Sequence, residues 1–176
     1  QRVLINGAAG AIGTFAVQMA KRMGAHVTGV CSTGNVERVR ALGADAVVDY
    51  TKTDFTRAGE TYDVIFDAVG KSSYRQAKKA LTPTGKYLTT VLGNNILGNM
   101  LWTKIAGGKR AIFDATGLKQ TRDKLETLAN WVAEGELKSV VDRTYTLDQM
   151  QEAHAYVDTG HKRGNIVISM TIATQA

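Results

Sequence analysis

The 176-residue sequence holds a single cysteine, Cys31, so no disulfide can form within the chain and a cysteine-based metal site lacks a second ligand. A lone thiol suits a reducing compartment, and the expected location is cytoplasmic. No apolar run reaches the roughly 18 residues that a membrane-crossing helix needs, so no membrane partner is expected. The three histidines, His26, His154 and His161, stand far apart with no ligand-spaced neighbour, and no metal site is assigned. No Gly-x-Ser-x-Gly elbow occurs, which removes the common hydrolase reading. Proline is almost absent: Pro83 sits with Gly85 in Thr82-Pro-Thr-Gly85, a turn signal. With 44% hydrophobic and 22% charged residues the chain is long enough for one well-packed domain and is not disordered. Its formal charge of +6 comes from scattered residues, densest at Lys78-Lys79 and Lys109-Arg110, so nucleic acid is not an expected partner. An anionic small ligand accounts for part of that excess. The opening residue, Gln1, leads at once into a core strand, and we expect an N-terminal part of a larger protein to precede it.

What is present begins with Val3-Leu-Ile-Asn-Gly7-Ala-Ala-Gly10-Ala-Ile-Gly13. A buried strand runs through glycines into a helix starting near Ala11. Free N–H groups of that first turn and the positive end of the helix dipole face whatever lies above it, which suits a pyrophosphate. Gly10 lets backbone approach the phosphate, and Gly13 lets the helix pack closely on the strand. Ile12, Phe15, Ala16, Met19 and Met23 fall at helical spacing and are the expected buried face.

Alternation then continues. Strands are expected at 26–30, 46–49, 62–67, 86–92 and 110–114, with helices at 35–42, 72–81 and 120–134. Such order implies an α/β fold, a Rossmann doubly wound parallel sheet. Residues 93–108 break the rhythm and read as a mobile flap, an oligomer contact or a surface helix packed on the sheet. The tail from Val140 reads strand, helix, strand. The expected division is 1–138 for the nucleotide-binding domain and 139–176 for the tail.

An NAD-binding fold places an acid about 20 residues beyond the glycine turn to bond the ribose 2′-hydroxyl. Here Val30-Cys-Ser-Thr-Gly-Asn35 has no carboxylate before Glu37, so NADP(H) is expected in preference to NAD(H). Ser32, Thr33, Asn35 and, one turn on, Arg38 would meet the 2′-phosphate. The same residues also read as a helix cap, and the two roles share their N–H groups.

These segments, with Leu42-Gly-Ala-Asp45, Val48-Asp-Tyr50, Phe66-Asp-Ala-Val-Gly70, Asp142-Arg-Thr-Tyr145 and Gly160-His-Lys-Arg-Gly-Asn-Ile-Val-Ile168, resemble the medium-chain dehydrogenase/reductase superfamily, in its zinc-free, quinone-oxidoreductase-like branch. The resemblance implies a parent with an N-terminal catalytic domain, to which the tail returns. It implies pyrophosphate contact by Ala9, Gly10, Ala11, Ile12 and Gly13, and adenosine-phosphate contact by Ser32, Thr33 and Asn35. Tyr50 would lie beside that phosphate or be a half-buried strand end. Asp67, Ala68, Val69 and Gly70 would run beneath adenine and its ribose, Val91, Leu92 and Gly93 beside the nicotinamide, and Phe113 near the carboxamide. Many relatives carry a basic residue at the position of Gly34 and a lysine at that of Asn165, and Arg38 is the expected compensation for the first. The implied activity is hydride transfer to a quinone, activated alkene or carbonyl substrate. Catalytic residues stay unassigned in this chain, which is expected to bind nucleotide without turnover.

Three other readings are set beside it. Tyr74 and Lys78 have the Tyr-x-x-x-Lys spacing of short-chain dehydrogenases, but residues four apart on a helix are ordinarily a solvated pair. A nucleotide-sensing module would keep the same fold. A methyltransferase would place an acid where Ser32-Thr33 stand. The resemblance also implies a homodimer, through the strand at 110–114, because the medium-chain enzymes often pair edge strands of this domain.

Overall fold

The computed structural model describes residues 1–92, 96–113 and 121–170. Short, continuous apolar runs become parallel strands, because a strand covered on both faces leaves no side for polar residues. β1 (Arg2–Asn6), β2 (His26–Cys31), β3 (Ala46–Asp49), β4 (Tyr62–Asp67), β5 (Leu81–Thr89) and β6 (Arg110–Phe113) form one sheet in the order β3-β2-β1-β4-β5-β6, with every neighbouring pair parallel. This is the doubly wound Rossmann order. It reverses direction beside β1, so a crevice opens at the carboxyl ends of β1 and β4.

Side chains alternate along each strand, and β1 shows the result: Leu4 enters one core and Ile5 the other. α1 (Ala11–Arg22) and α2 (Val36–Ala41) cover the Ile5 face, while α3 (Tyr74–Ala77) and α4 (Ile96–Ala106) lie over the Leu4 face. The expected face of α1 is corrected. Gly13, Thr14 and Val17 are its buried residues, with Ala16 and Ala20 packed beside them, whereas Ile12 is half exposed and Met23 76% exposed. The helix approaches the sheet so closely that only small residues fit between.

The expected helix at 72–81 is also shorter. α3 makes one turn and passes into a 3-10 turn at Lys78–Ala80. Pro83 and Gly85 fall inside β5 rather than in a turn before it: Leu81 pairs with Tyr62 and Lys86 with Val64, so the intervening residues bulge out. Val91 and Leu92 consequently follow the strand. Residues 96–106 form the surface helix among the three readings of that segment.

α5 (Arg122–Ala133) has no buried residue and is tied down at its end. Arg22 stacks over Trp131 and pairs with Glu134 and Glu136, while the Gln18 amide donates to the Lys138 carbonyl at 3.0 Å and accepts its N–H at 2.9 Å. β7 (Val141–Thr146), α6 (Met150–Asp158) and β8 (Asn165–Ser169) complete the described residues. β7 and β8 pair in a parallel sheet of their own.

Candidate functional site

At the end of β1 the chain reverses at Gly7, whose φ of 84° lies in the left-handed region. The Gly7 and Ala8 N–H groups donate to the Val30 carbonyl at 3.2 and 3.0 Å, and the Gly10 N–H returns to the Gly7 carbonyl at 3.0 Å. α1 then starts with Gly10 as its cap, with no side-chain cap and no acid in its first turn. The N–H groups of Ala11, Ile12 and Gly13 thus keep the positive helix end open. Gly13 is a steric requirement: a Cβ there would stand 2.0 Å from the Gly7 oxygen and 2.7 Å from the Ala8 Cα. At Gly10 the nearest atom is 3.4 Å away, so its missing side chain leaves room at the helix start.

Two further loops meet this turn. A Cβ on Gly7 would lie 2.6 Å from Val69 Cγ1, and one on Gly70 2.8 Å from the Val91 Cβ. Ala9 to Gly13, Ala68 to Gly70 and Val91 therefore come together, and Leu92 lies exposed beside them. Phe113 ends β6 half-buried, its N–H 3.3 Å from Met100 Sδ. Gly93 lies outside the described residues, as does Asp114.

The residue that fixes this floor is Asp67, which the resemblance places beneath the adenosine without indicating its partners. Asp67 is fully buried at the end of β4. Its Oδ1 accepts from Asn6 Nδ2 at 3.1 Å, Val69 N at 3.2 Å and Gly70 N at 2.9 Å, and its Oδ2 from Ser72 N at 3.0 Å and the Tyr87 hydroxyl at 2.9 Å. The Tyr87 hydroxyl also lies 3.0 Å from the Ser72 carbonyl. Burial first, and the Asp67 charge second, push the Tyr87 phenol well above its usual range. A carboxylate closing an apolar strand was the available signal, since such a residue is buried only when fully partnered.

On the other side of β1, Ser32, Thr33 and Asn35 shape a 3-10 turn before α2. Ser32 Oγ accepts from Asn35 Nδ2 at 2.9 Å, and among the described residues the buried Asn35 Oδ1 has no donor. Thr33 donates to Asp49 Oδ2 at 2.6 Å, and Asp49 also accepts from Thr51 N at 3.0 Å. The Thr33 and Thr51 hydroxyls hold the Asp49 carboxyl below its usual range. Asp49 is thus a carboxylate at this end of the crevice, brought there by the pairing of β3 with β2 that sets it opposite Cys31. Tyr50, next along, is 60% exposed. A Cβ on Gly34 would meet nothing within 4 Å. Arg38 is turned toward the tail, where its Nη1 donates to the Arg163 carbonyl at 2.6 Å. Burial, then the Asp49 charge, pushes the Cys31 thiol up to about 11.

Tyr74 and Lys78 are not assembled as an acid–base pair. The Tyr74 hydroxyl donates to the Lys109 carbonyl at 3.2 Å, burial raises its pKa, and Lys78 is exposed. A catalytic phenol needs the opposite shift. Beside the floor, a cavity of about 260 Å³ is lined by Gly70, Ser72, Tyr74, Tyr87, Val91 and Asn99. A larger hollow of about 390 Å³ between α1, α2 and residues 135–138 lies away from the crevice, and its Lys21 and Arg22 are already ion-paired. Among the described residues no three His, Cys, Asp or Glu side chains are grouped as a metal site requires. No helix of the described residues is long and apolar enough to cross a membrane.

Known proteins share this fold. The family described as zinc-binding dehydrogenase matches residues 42–168. A trans-enoyl reductase of Aspergillus terreus is 34% identical over 97% of this chain and 52% of its own length. A mitochondrial NAD(P)H oxidoreductase of Mus musculus is 35% identical over 97% of this chain and 48% of its own. The quinone oxidoreductase structure from Coxiella burnetii superposes with a TM-score of 0.84 at 29% identity, covering 97% of this chain and 53% of that one. The chain spans about half the length of the curated relatives it matches. It belongs to the zinc-binding dehydrogenase family, as a cofactor-binding region of the quinone-oxidoreductase-like branch of the medium-chain dehydrogenase/reductase superfamily.

Proposed function

We propose that this chain is the NADP(H)-binding part of a zinc-independent oxidoreductase that moves hydride between the nicotinamide and a quinone, an activated alkene or a carbonyl/alcohol pair. One observation carries the reading: an uncapped, acid-free helix start at the point where the sheet order reverses, held there by Gly13 against the Gly7 carbonyl. The Ala11, Ile12 and Gly13 N–H groups would take the pyrophosphate. Asn35 Oδ1, buried without a donor among the described residues, suits a ribose hydroxyl. Ala68 to Gly70 would underlie the adenosine, and Val91, Leu92 and Phe113 would flank the nicotinamide. The bound cofactor supplies the hydride, and the chain's own residues bind it, orient it and exclude water.

Preference for NADP(H) rests on Ser32 and Thr33 standing where readers of NAD place an acid. The nearby Asp49 carboxylate is already engaged by Thr33, Thr51 and, at 3.7 Å, Lys52. Substrate contacts and the proton donor would come from the remaining length of the parent, and residues 139–176 would pack against it. The test is a fluorescence titration with NADPH and NADH, on the wild type and Arg38→Ala. Tighter NADPH binding is expected. Equal affinities would overturn the preference, absence of both would overturn the site, and quinone or enone turnover by this chain alone would overturn the division of labour.

A further inference from the structure

At the β2 end of the crevice the side chains present acceptors. Asp49, the last residue of β3, takes the Thr33 hydroxyl proton on Oδ2 at 2.6 Å, and the Thr51 hydroxyl and N–H on Oδ1 at 2.7 and 3.0 Å. Both threonine protons are thereby spent, and the two hydroxyl oxygens, 3.0 Å apart, are left to accept. Asn35 adds a further acceptor, because its Nδ2 is turned to Ser32 Oγ and its buried Oδ1 has no donor among the described residues. The Asp49 side chain is 12% exposed, whereas that of Lys52, 3.7 Å from its Oδ2, is 69% exposed and a loose, solvated counter-charge. Arg38 is bonded to the Arg163 carbonyl instead.

A ribose 2′-phosphate and a ribose 2′-hydroxyl make opposite demands on such a surface. The phosphate carries close to two negative charges on oxygens that accept, so it calls for donors and cations. The hydroxyl brings a proton of its own, which an orphaned amide oxygen or a threonine with its proton spent can take. Ser32, whose Oγ accepts from Asn35, is the hydroxyl of this turn still able to donate. Position in the sequence hides the acid. An acid that reads NAD is sought at the end of β2, and here the pairing that sets Asp49 opposite Cys31 brings one from the neighbouring strand.

We propose that Asp49 is a specificity-determining residue which, through its charge and its hold on Thr33, restrains NADP(H) and keeps the site open to NAD(H). It narrows the preference for NADP(H) without reversing it. The inference rests on the nucleotide reading of the crevice. In a setting close to water, one carboxylate several ångströms from a dianion weakens its binding about tenfold. Asp49→Asn lifts both restraints. The amide oxygen can still accept from Thr51, while the NH2 donates to Thr33 Oγ and frees the Thr33 proton for a ligand.

The experiment is calorimetric titration of the wild type and three variants with NADPH, NADH, adenosine 2′,5′-bisphosphate and AMP. The last two isolate the 2′ group from the nicotinamide. Asp49→Asn should tighten NADPH and the bisphosphate about tenfold and leave NADH and AMP within about twofold of the wild type. Lys52→Glu, at an exposed side chain, should weaken the two 2′-phosphates about tenfold and spare NADH, and it decides alone if Asp49→Asn does not fold. Asp54→Asn is the control. Asp54 holds the Thr56 N–H and hydroxyl at 2.8 Å, much as Asp49 holds Thr51, but it stands beside Phe55 on the Leu4 face and should change neither nucleotide. An unchanged NADPH-to-NADH ratio in Asp49→Asn, equal tightening of both, unchanged NADPH binding in Lys52→Glu, or an equal shift in Asp54→Asn would overturn the proposal while leaving the nucleotide site in place. Absence of both nucleotides from the wild type would overturn the nucleotide reading and this proposal with it.

Discussion

Replacing Asp67 tests whether one carboxylate holds the crevice floor. In Asp67→Ala, Tyr87 keeps a partner in the Ser72 carbonyl, so the buried Asn6 amide and the part-buried N–H groups of Val69, Gly70 and Ser72 are left. An orphaned buried donor costs about 1–3 kcal/mol, and each backbone group that water can partly reach about 1 kcal/mol, which sums to about 4–6 kcal/mol. Asp67→Asn is milder. Its amide oxygen can face Asn6, Val69 and Gly70, and its NH2 can donate to Tyr87 while that hydroxyl donates to Ser72. Only the Ser72 N–H is orphaned and the charge assistance lost, about 2–3 kcal/mol. Tyr87→Phe should cost about 1 kcal/mol. For a chain of this size about 1 kcal/mol shifts Tm by about 2–4 °C, so the order Ala, Asn, Phe is resolvable by thermal melting followed by circular dichroism. A fall of less than about 2 °C for Asp67→Ala would refute the reasoning. So would a Tyr87→Phe loss as large as that of Asp67→Ala, which would place the stability in the Tyr87 hydroxyl rather than in the donors the carboxylate holds.

Gly13→Ala should destabilise by about 3 kcal/mol or more and remove nucleotide binding, because its Cβ would meet backbone at 2.0 Å; Gly98→Ala, with nothing within 4 Å, is the control and should be neutral or slightly stabilising. Retained binding in Gly13→Ala would contradict the close approach of α1. Asp45 accepts from Lys21 Nζ at 2.7 Å and Val27 N at 2.7 Å, and these hold its carboxyl below the usual range. Its stabilisation is present above the unfolded carboxylate pKa and is lost as pH falls through the lowered folded value. Melting across pH should therefore show the Asp45→Asn deficit largest near neutrality and vanishing in acid, and a constant deficit would exclude the linkage. With its thiol near 11, Cys31 should react with iodoacetamide at pH 8 on the order of a hundredfold more slowly folded than in denaturant. Equal rates would show that the thiol is accessible.

Strands were the most legible part of this sequence. β3 and β4 fall where their apolar runs end, because turns and polar residues bound them on both sides. The buried face of α1 was not legible, since periodicity counts bulky apolar residues while contact with the sheet at this distance admits Gly13, Thr14 and Val17. Pro83 and Gly85 signalled a turn, and a bulge answers the same backbone demands inside a strand. In the site, the close approach of Gly13 to Gly7 and Ala8 could be read because spacing alone sets it. The hold of Asp67 could not, because its partners include Asn6, 61 positions away, and Tyr87, 20 positions away. Nor could the turning of Arg38 to the tail, 125 positions on.

The contacts of Gly7 with Val69 and of Gly70 with Val91 also have a kinetic meaning. Each joins loops that close only after β1 has found β4 and β4 has found β5, so the crevice cannot exist in a partly paired sheet. Local segments fold early, and long-range parallel pairings fold late. A nucleotide that binds there requires the β1–β4 and β4–β5 pairings and stabilises the folded chain by RT ln(1 + [L]/Kd), with [L] the free nucleotide concentration. Recovery of nucleotide affinity during refolding would therefore time the later of these two pairings, making the ligand a clock for assembly.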